Sequence, residues 1–140
     1  MDVAGVEKLV KDWYEKLDVH APMVEVLPLL VDSGLEMQFP EATLYSLADF
    51  EGWYQGVIRL FFDEVHLLKK VEVNLQEDRA EVDIIVQWEA SFWKAPAAHS
   101  QRIVADAYQT WVVVPDSDGN PRIQLYVVDK LDFHPGSAQL

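Results

Sequence analysis

The apolar positions near the start of the chain recur with helical spacing. Val6, Leu9, Val10, Trp13, Tyr14 and Leu17 fall at i, i+3, i+4, i+7, i+8 and i+11, which predicts an amphipathic helix over residues 3–18. Pro22 suits the first turn of a second, shorter helix, and Pro28 kinks or ends it. Ser33-Gly34 marks a turn, and Glu36–Phe39 and Thr43–Tyr45 read as short strands around Pro40. A third helix opens at Ser46, whose hydroxyl can cap the amide of Asp49, and Asp49 suits a helix N-terminus. Its stripe of Phe50, Trp53, Tyr54, Val57, Ile58 and Phe61 is largely aromatic. Gly52 and Gly56 lie one turn apart on another side of that helix. Each costs about 1 kcal/mol relative to Ala, and close backbone packing against a neighbouring element is the expected reason.

From about Val65 to Phe133 the pattern is that of four long consecutive strands. Leu67–Gln76 is the first, turning at Glu77-Asp78-Arg79. Ala80–Lys94 is the second and alternates strictly. Ala80, Val82, Ile84, Val86, Trp88, Ala90 and Phe92 lie on one face, with Glu81, Asp83, Ile85, Gln87, Glu89 and Ser91 on the other. The pattern turns the apolar row inward, although a slip of one residue would bring the polar row to any cavity. After a loop at Ala95–Ser100, Gln101–Val114 is the third strand. Asp116–Pro121 turns around Asp118-Gly119. Arg122–Phe133 is the fourth strand, and residues 136–140 are expected to be a mobile tail. Helices first and an antiparallel meander second give an α+β plan in one domain over residues 1–135, with helices across one face of a curved sheet and a pocket between.

Composition narrows the function classes. Of 140 residues, 50% are hydrophobic, with five Trp, five Tyr and six Phe, enough for a core and a lined cavity. Eleven basic against 24 acidic side chains give a formal charge of −13, which argues against nucleic-acid and membrane partners. With no cysteine there is no disulfide, thiolate chemistry or structural zinc. His20, His66, His99 and His134 have no metal-ligand spacing, and no metal or organic cofactor is expected. Asp116-Ser-Asp118-Gly119-Asn120 has the start of a calcium loop but not its later ligands, so it reads as a hairpin turn. There is no signal-like or membrane-spanning stretch, and the expected location is the cytoplasm.

Three ionisable residues stand out as acid–base candidates. His66 is placed at the junction of helix and strand, as a general base or a structural hydrogen-bonding group. Asp106 interrupts an apolar run, where burial would raise its pKa, unless it pairs with Arg102 or Lys130 or faces solvent. Asp83, with Gln87, becomes a candidate if the polar row of the second strand faces inward.

The order of elements resembles the NTF2-like superfamily, and within it the small SnoaL-like proteins of bacteria. The pieces that carry the resemblance are Trp13-Tyr14 to Leu17-Asp18 ending the first helix, Phe39-Pro40 ending the first strand, His66 after the third helix, Asp78-Arg79-Ala80 at a turn, and Asp118-Gly119 before Ile123, with Asp129 further on. The resemblance implies a cone of sheet closed by helices around an apolar cavity, and a homodimer through the outer sheet face. Trp88, Phe92, Tyr108 and Trp111 are the apolar residues first considered for that contact. The superfamily includes ketosteroid isomerases, scytalone dehydratase, limonene epoxide hydrolase, polyketide cyclases and binding proteins without catalysis.

The catalytic positions of the ketosteroid isomerases fall near Trp13, Phe39 and Gln109 here, without their ionisable groups. An Asp-Arg-Asp set like that of limonene epoxide hydrolase could be drawn only loosely from Asp83, Arg102 and Asp106. Of the scytalone dehydratase set, His66 and Tyr14 are conceivable members, and the second His is missing. The family cavity would take its walls from Trp13, Tyr14, Phe39, Tyr45, Trp53, Tyr54, Gln109, Trp111 and Tyr126. The expectation is therefore a protein that holds a small, largely apolar molecule, with cofactor-free isomerase, cyclase or dehydratase chemistry where it is catalytic. The competing expectation is a structural or interaction dimer whose cavity is filled by its own aromatic side chains.

Overall fold

The computed structural model describes all 140 residues. Helix α1 spans Val3–Asp18, and the Asp2 carboxylate caps it by accepting from the Gly5 amide at 2.7 Å. All six periodic residues of α1 are buried. Pro22 precedes the short helix α2, Met23–Val26, and Pro28 sits in a single 3-10 turn, Leu27–Leu29. Strands β1 (Glu36–Gln38) and β2 (Thr43–Leu44) form a small hairpin. Helix α3, Leu47–Leu60, is capped by Ser46, which accepts from the Asp49 amide at 3.1 Å. The meander follows as β3 (Phe62–Leu75), β4 (Ala80–Phe92), β5 (Gln101–Pro115) and β6 (Pro121–Phe133).

These strands make one curved, unclosed sheet in the order β2-β1-β6-β5-β4-β3, antiparallel except where β1 runs parallel to β6. The three helices pack on it. Val82, Ile84 and Val86 of β4 and Ala107, Trp111 and Val113 of β5 turn inward to meet α1. The apolar row of β4 is thus the inner one. Every second residue of β5 from Ile103 to Val113 is buried, while the row between them is half-buried on the other face. Trp88, Phe92 and Trp111 belong to the inner rows, and only Tyr108 of the four aromatics considered for a sheet contact lies on the outer one, with the Lys130 ammonium over its ring. No helix is long and apolar enough to cross a membrane.

Two features differ from the sequence expectation. Strand β3 begins at Phe62, so His66 lies within a strand and pairs with Trp88, not at a junction. The run Phe-Asp-Glu-Val-His has little alternation of its own, and pairing with β4 extends the strand through it. Gly52 and Gly56 do not mark close packing: a Cβ at either would meet no atom within 4 Å, because both lie on the exposed side of α3. Residues 137 and 138 hydrogen-bond to β5. Val104 donates its amide to Ser137 Oγ, and the Ala138 amide donates to the Arg102 carbonyl.

Candidate active site

Where α1 ends, α3 and the sheet diverge and leave a cavity of about 310 Å³. Fourteen of its nineteen lining residues are hydrophobic. Phe39, Trp53, Val57 and Phe61 make one wall, and Val86, Trp88, Ala107 and Val128 make the sheet side. The volume lies at the lower end of the range for small-molecule sites. It also argues against a cone filled by its own side chains.

His66 lines this cavity and is almost fully buried. Its Nδ1 lies 2.6 Å from Asp18 Oδ1, at the last residue of α1. A carboxylate is acceptor-only, so Nδ1 carries the proton and donates, which leaves the lone pair on Nε2. Nε2 has no partner within the chain. The Tyr14 ring, one helical turn before Asp18, stacks on the imidazole at 4.9 Å and fixes its plane. The result is a positioned imidazole base with a carboxylate behind it.

Two residues before His66 and also lining the cavity is Glu64, a carboxylate with its side chain only 4% exposed. His20 Nε2 lies 2.5 Å from Glu64 Oε2, and the Trp88 indole donates to Oε1 at 3.1 Å. His20 follows the end of α1 with φ +50°, and that left-handed turn carries its ring across to β3. Asp18-Val19-His20 and Glu64-Val65-His66 thus pair crosswise, acid to histidine, and tie the end of α1 to the start of β3.

Opposite these groups lie hydrogen-bond donors. Gln109 is the one polar residue in the buried row of β5. Its Oε1 accepts from the Tyr14 hydroxyl at 2.7 Å and from the Trp111 indole at 3.0 Å. An indole N–H can only donate, so the amide orientation is chemically fixed and its NH₂ is left free to donate. The Tyr126 phenol lies beside it on the cavity wall. Burial pushes that phenol up to about 12, with the neighbouring donor groups of Trp13, Gln109 and Tyr14 pulling the other way. The Trp13 N–H leans toward it without reaching hydrogen-bonding geometry. Tyr54 is likewise raised to about 12, first by burial and then by the Glu64 and Glu25 charges, and it donates to the Ala21 carbonyl at 2.8 Å. Both phenols therefore keep their protons at neutral pH.

Of the sequence candidates for the cavity wall, Phe39, Trp53, Tyr54, Gln109 and Tyr126 line it. Trp13, Tyr14 and Trp111 are buried in the core beside it. Tyr45 is 64% exposed and lies outside it. Trp53 is half-buried at the mouth, stacked on Phe39 at 4.0 Å and donating to Glu41 at 2.9 Å.

Of the acid–base candidates, only His66 lines the cavity. Asp106 is in the outer row of β5, paired with Lys69 at 2.8 Å and His134 at 3.0 Å. Chiefly the Lys69 hydrogen bond, helped by His134, holds its pKa below the ordinary value, the opposite of the raised pKa considered for a buried carboxylate. Asp83 is exposed on the outer face of β4. Arg102, on the same outer row as Asp106, donates to the Asp63 carbonyl at 2.6 Å, so no Asp-Arg-Asp set faces the cavity. Asp18, His20, Glu64 and Trp88 had not been singled out as site residues. No group of three or more His, Asp and Glu residues is placed to hold a metal ion.

No protein-family model matches the chain, and no curated protein matches it in sequence. Solved structures do match. A hexachlorocyclohexane dehydrochlorinase, LinA-type3, from Novosphingobium barchaimii LL02 superposes with a TM-score of 0.77 over 98% of this chain and 92% of that one, at 13% identity. A protein from Novosphingobium aromaticivorans DSM 12444, provisionally named a scytalone dehydratase, gives 0.72 over 97% and 90%, at 18% identity. A protein of the NTF2-like family from Streptomyces avermitilis, provisionally named a dehydratase, gives 0.73 over 90% and 94%, at 16% identity. The chain has the NTF2-like fold, an α+β cone; identities this low carry the fold and nothing finer.

Proposed function

We propose that the protein is a cofactor-free acid–base catalyst that removes a proton from a small, largely apolar molecule held in the cone. The observation that carries this reading is the Asp18–His66 pair: an imidazole on the wall of an apolar cavity, with one nitrogen held at 2.6 Å and the other free. His66 Nε2 takes the proton, and Asp18 holds the tautomer and balances the imidazolium that forms. Negative charge that develops on the substrate meets the Gln109 NH₂ and the Tyr126 hydroxyl, donors already in place in a largely apolar wall. The reaction types that fit are isomerisation and elimination. All three of the similar structures are named for eliminations, a dehydrochlorinase and two provisional dehydratases, which supports the same class.

The test uses 5-nitrobenzisoxazole, a neutral bicyclic probe of general bases. A base removes its ring C–H proton, the C–H electron pair completes the nitrile, and the N–O bond breaks to give a coloured phenolate. The protein is expected to open it faster than imidazole buffer at the same concentration. His66→Ala should reduce the rate by about a hundredfold or more. Asp18→Asn should reduce it by about tenfold, because the amide no longer stabilises the imidazolium that forms. A rate unchanged in both variants, with the fold intact by circular dichroism, refutes the base assignment. A molecule that binds without turnover would favour a carrier, the reading supported by the apolar lining alone.

A further inference from the structure

Glu64 is not needed by the proton-transfer scheme, yet it is the most deeply buried ionisable side chain on the cavity wall other than the phenols. A carboxylate in such a place is costly unless its oxygens are used. Here each oxygen has one donor, His20 on Oε2 and Trp88 on Oε1, so each keeps capacity to accept another. His20 is a quarter exposed and does not line the cavity, whereas the Glu64 carboxylate is presented to it. The other ionisable groups of the wall are Glu41, His66 and two phenols; no Lys or Arg lines it. The electrostatics are one-sided: an anion would meet carboxylates with no cation to pair with, while a donor or cation would find an acceptor that is already fixed in place.

We infer that Glu64 is a specificity site, and that the molecule held in the cone is an uncharged or cationic ring compound presenting a hydroxyl or protonated amine to this carboxylate. Glu64 and His66 are two residues apart on one strand, so their side chains share a face with their origins about 7 Å apart. A ligand of one or two rings can therefore place its donor on Glu64 and a C–H near His66. This inference rests on the reading that the cavity is the ligand site, and it does not depend on whether turnover occurs.

The experiment compares four molecules of one shape, indane, 1-indanol, 1-aminoindane and indane-1-carboxylate, by quenching of tryptophan fluorescence and by calorimetry on the whole protein. The expected order of affinity is amine and alcohol above hydrocarbon, with the carboxylate weakest. In Glu64→Gln the advantage of the amine over indane should fall by about tenfold, and the carboxylate should gain. Because each comparison is a ratio within one variant, a general loss of fold would depress all four probes and not mimic the result; His20→Asn, which removes the imidazole and keeps Glu64, should retain the amine preference. In His66→Gln the order should be unchanged, which separates this inference from the proton-transfer reading. Equal affinity for amine and carboxylate in the unaltered protein, or a ratio unmoved by Glu64→Gln, overturns the inference. Failure of all four to bind overturns both it and the cavity as ligand site.

Discussion

Trp13→Ala tests where the stability of the cone resides. The Trp13 side chain is 0% exposed and meets the rings of Phe50 at 5.7 Å, Tyr126 at 5.7 Å and Trp111 at 6.2 Å. It joins α1, α3, β5 and β6, so truncation leaves a void that no single element can close. Buried Trp→Ala changes cost about 3–5 kcal/mol. One term opposes: the Trp13 N–H is buried without an acceptor, a burden of about 1–3 kcal/mol in the native state that the variant loses. The two together place the expected loss at about 2 kcal/mol, and at no more than about 4 kcal/mol. Against a total of about 5–15 kcal/mol this is a large fraction. For a domain of this size Tm should fall by about 6–10 °C. Trp13→Phe keeps most of the ring contact and deletes the orphan donor, so it should cost less than about 1.5 kcal/mol. Urea unfolding followed by far-ultraviolet circular dichroism gives both values. A loss under about 1 kcal/mol for Trp13→Ala would mean that the residue is not the hub of the core. A Trp13→Phe as costly as Trp13→Ala would mean that the indole nitrogen has a partner that supports the fold.

Two further outcomes follow from the same geometry. Gly52→Ala and Gly56→Ala lie in the interior of α3, where an added methyl meets no atom within 4 Å, so each should stabilise by about 0.5–1 kcal/mol in urea unfolding; destabilisation by either would mean that this helix face is covered. Asp106 is held below its ordinary value of 3.8, chiefly by the Lys69 hydrogen bond. A lowered carboxylate pKa gives stability that is present above the unfolded-state pKa and is lost as pH falls through the folded-state one. Asp106→Asn should therefore lower the urea midpoint at pH 7 and flatten its fall below about pH 4; parallel curves for the two proteins would refute the assignment.

The period-based parts of the fold were legible because one physical signal decided each of them. Six apolar residues at helical spacing specify α1 to the residue, since a slip would put Trp13 and Tyr14 in water. Strict alternation specifies the inner row of β4. In β5 the signal fails. Its buried row reads Ile103, Ala105, Ala107, Gln109, Trp111, Val113, and its outer row reads Val104, Asp106, Tyr108, Thr110, Val112, Val114. Each row has one or two polar members among apolar ones, so hydrophobicity could not say which side Asp106 takes. The pairing of β5 with β4 decides it: Asp106 stands opposite Gln87, in the polar row of its neighbour. The glycines of α3 misled for a related reason. Their cost to a helix is local and visible in sequence, but whether a neighbour needs the space is not.

Half of the site was hidden because it is made by pairing across the chain. His66 could be noticed alone, whereas its function depends on Asp18, forty-eight residues earlier. A sequence signal did exist. Asp-Val-His occurs at residues 18–20 and Glu-Val-His at 64–66, an acid and a histidine two apart at the end of a helix and again just after another. Within one triplet in extended chain the two side chains stand side by side, about 7 Å apart at their origins. That is too far for their short termini to share a proton without bending inward. Brought face to face, the two triplets let each acid reach the other's histidine. The exchange has a consequence for the chemistry. It presents an imidazole to the cavity from one pair and a carboxylate from the other, each with its partner behind it. A single Asp-His pair would offer a base alone. The crossed arrangement offers a base and a fixed acceptor on one strand, which is what the proposed proton transfer and the proposed selectivity each require.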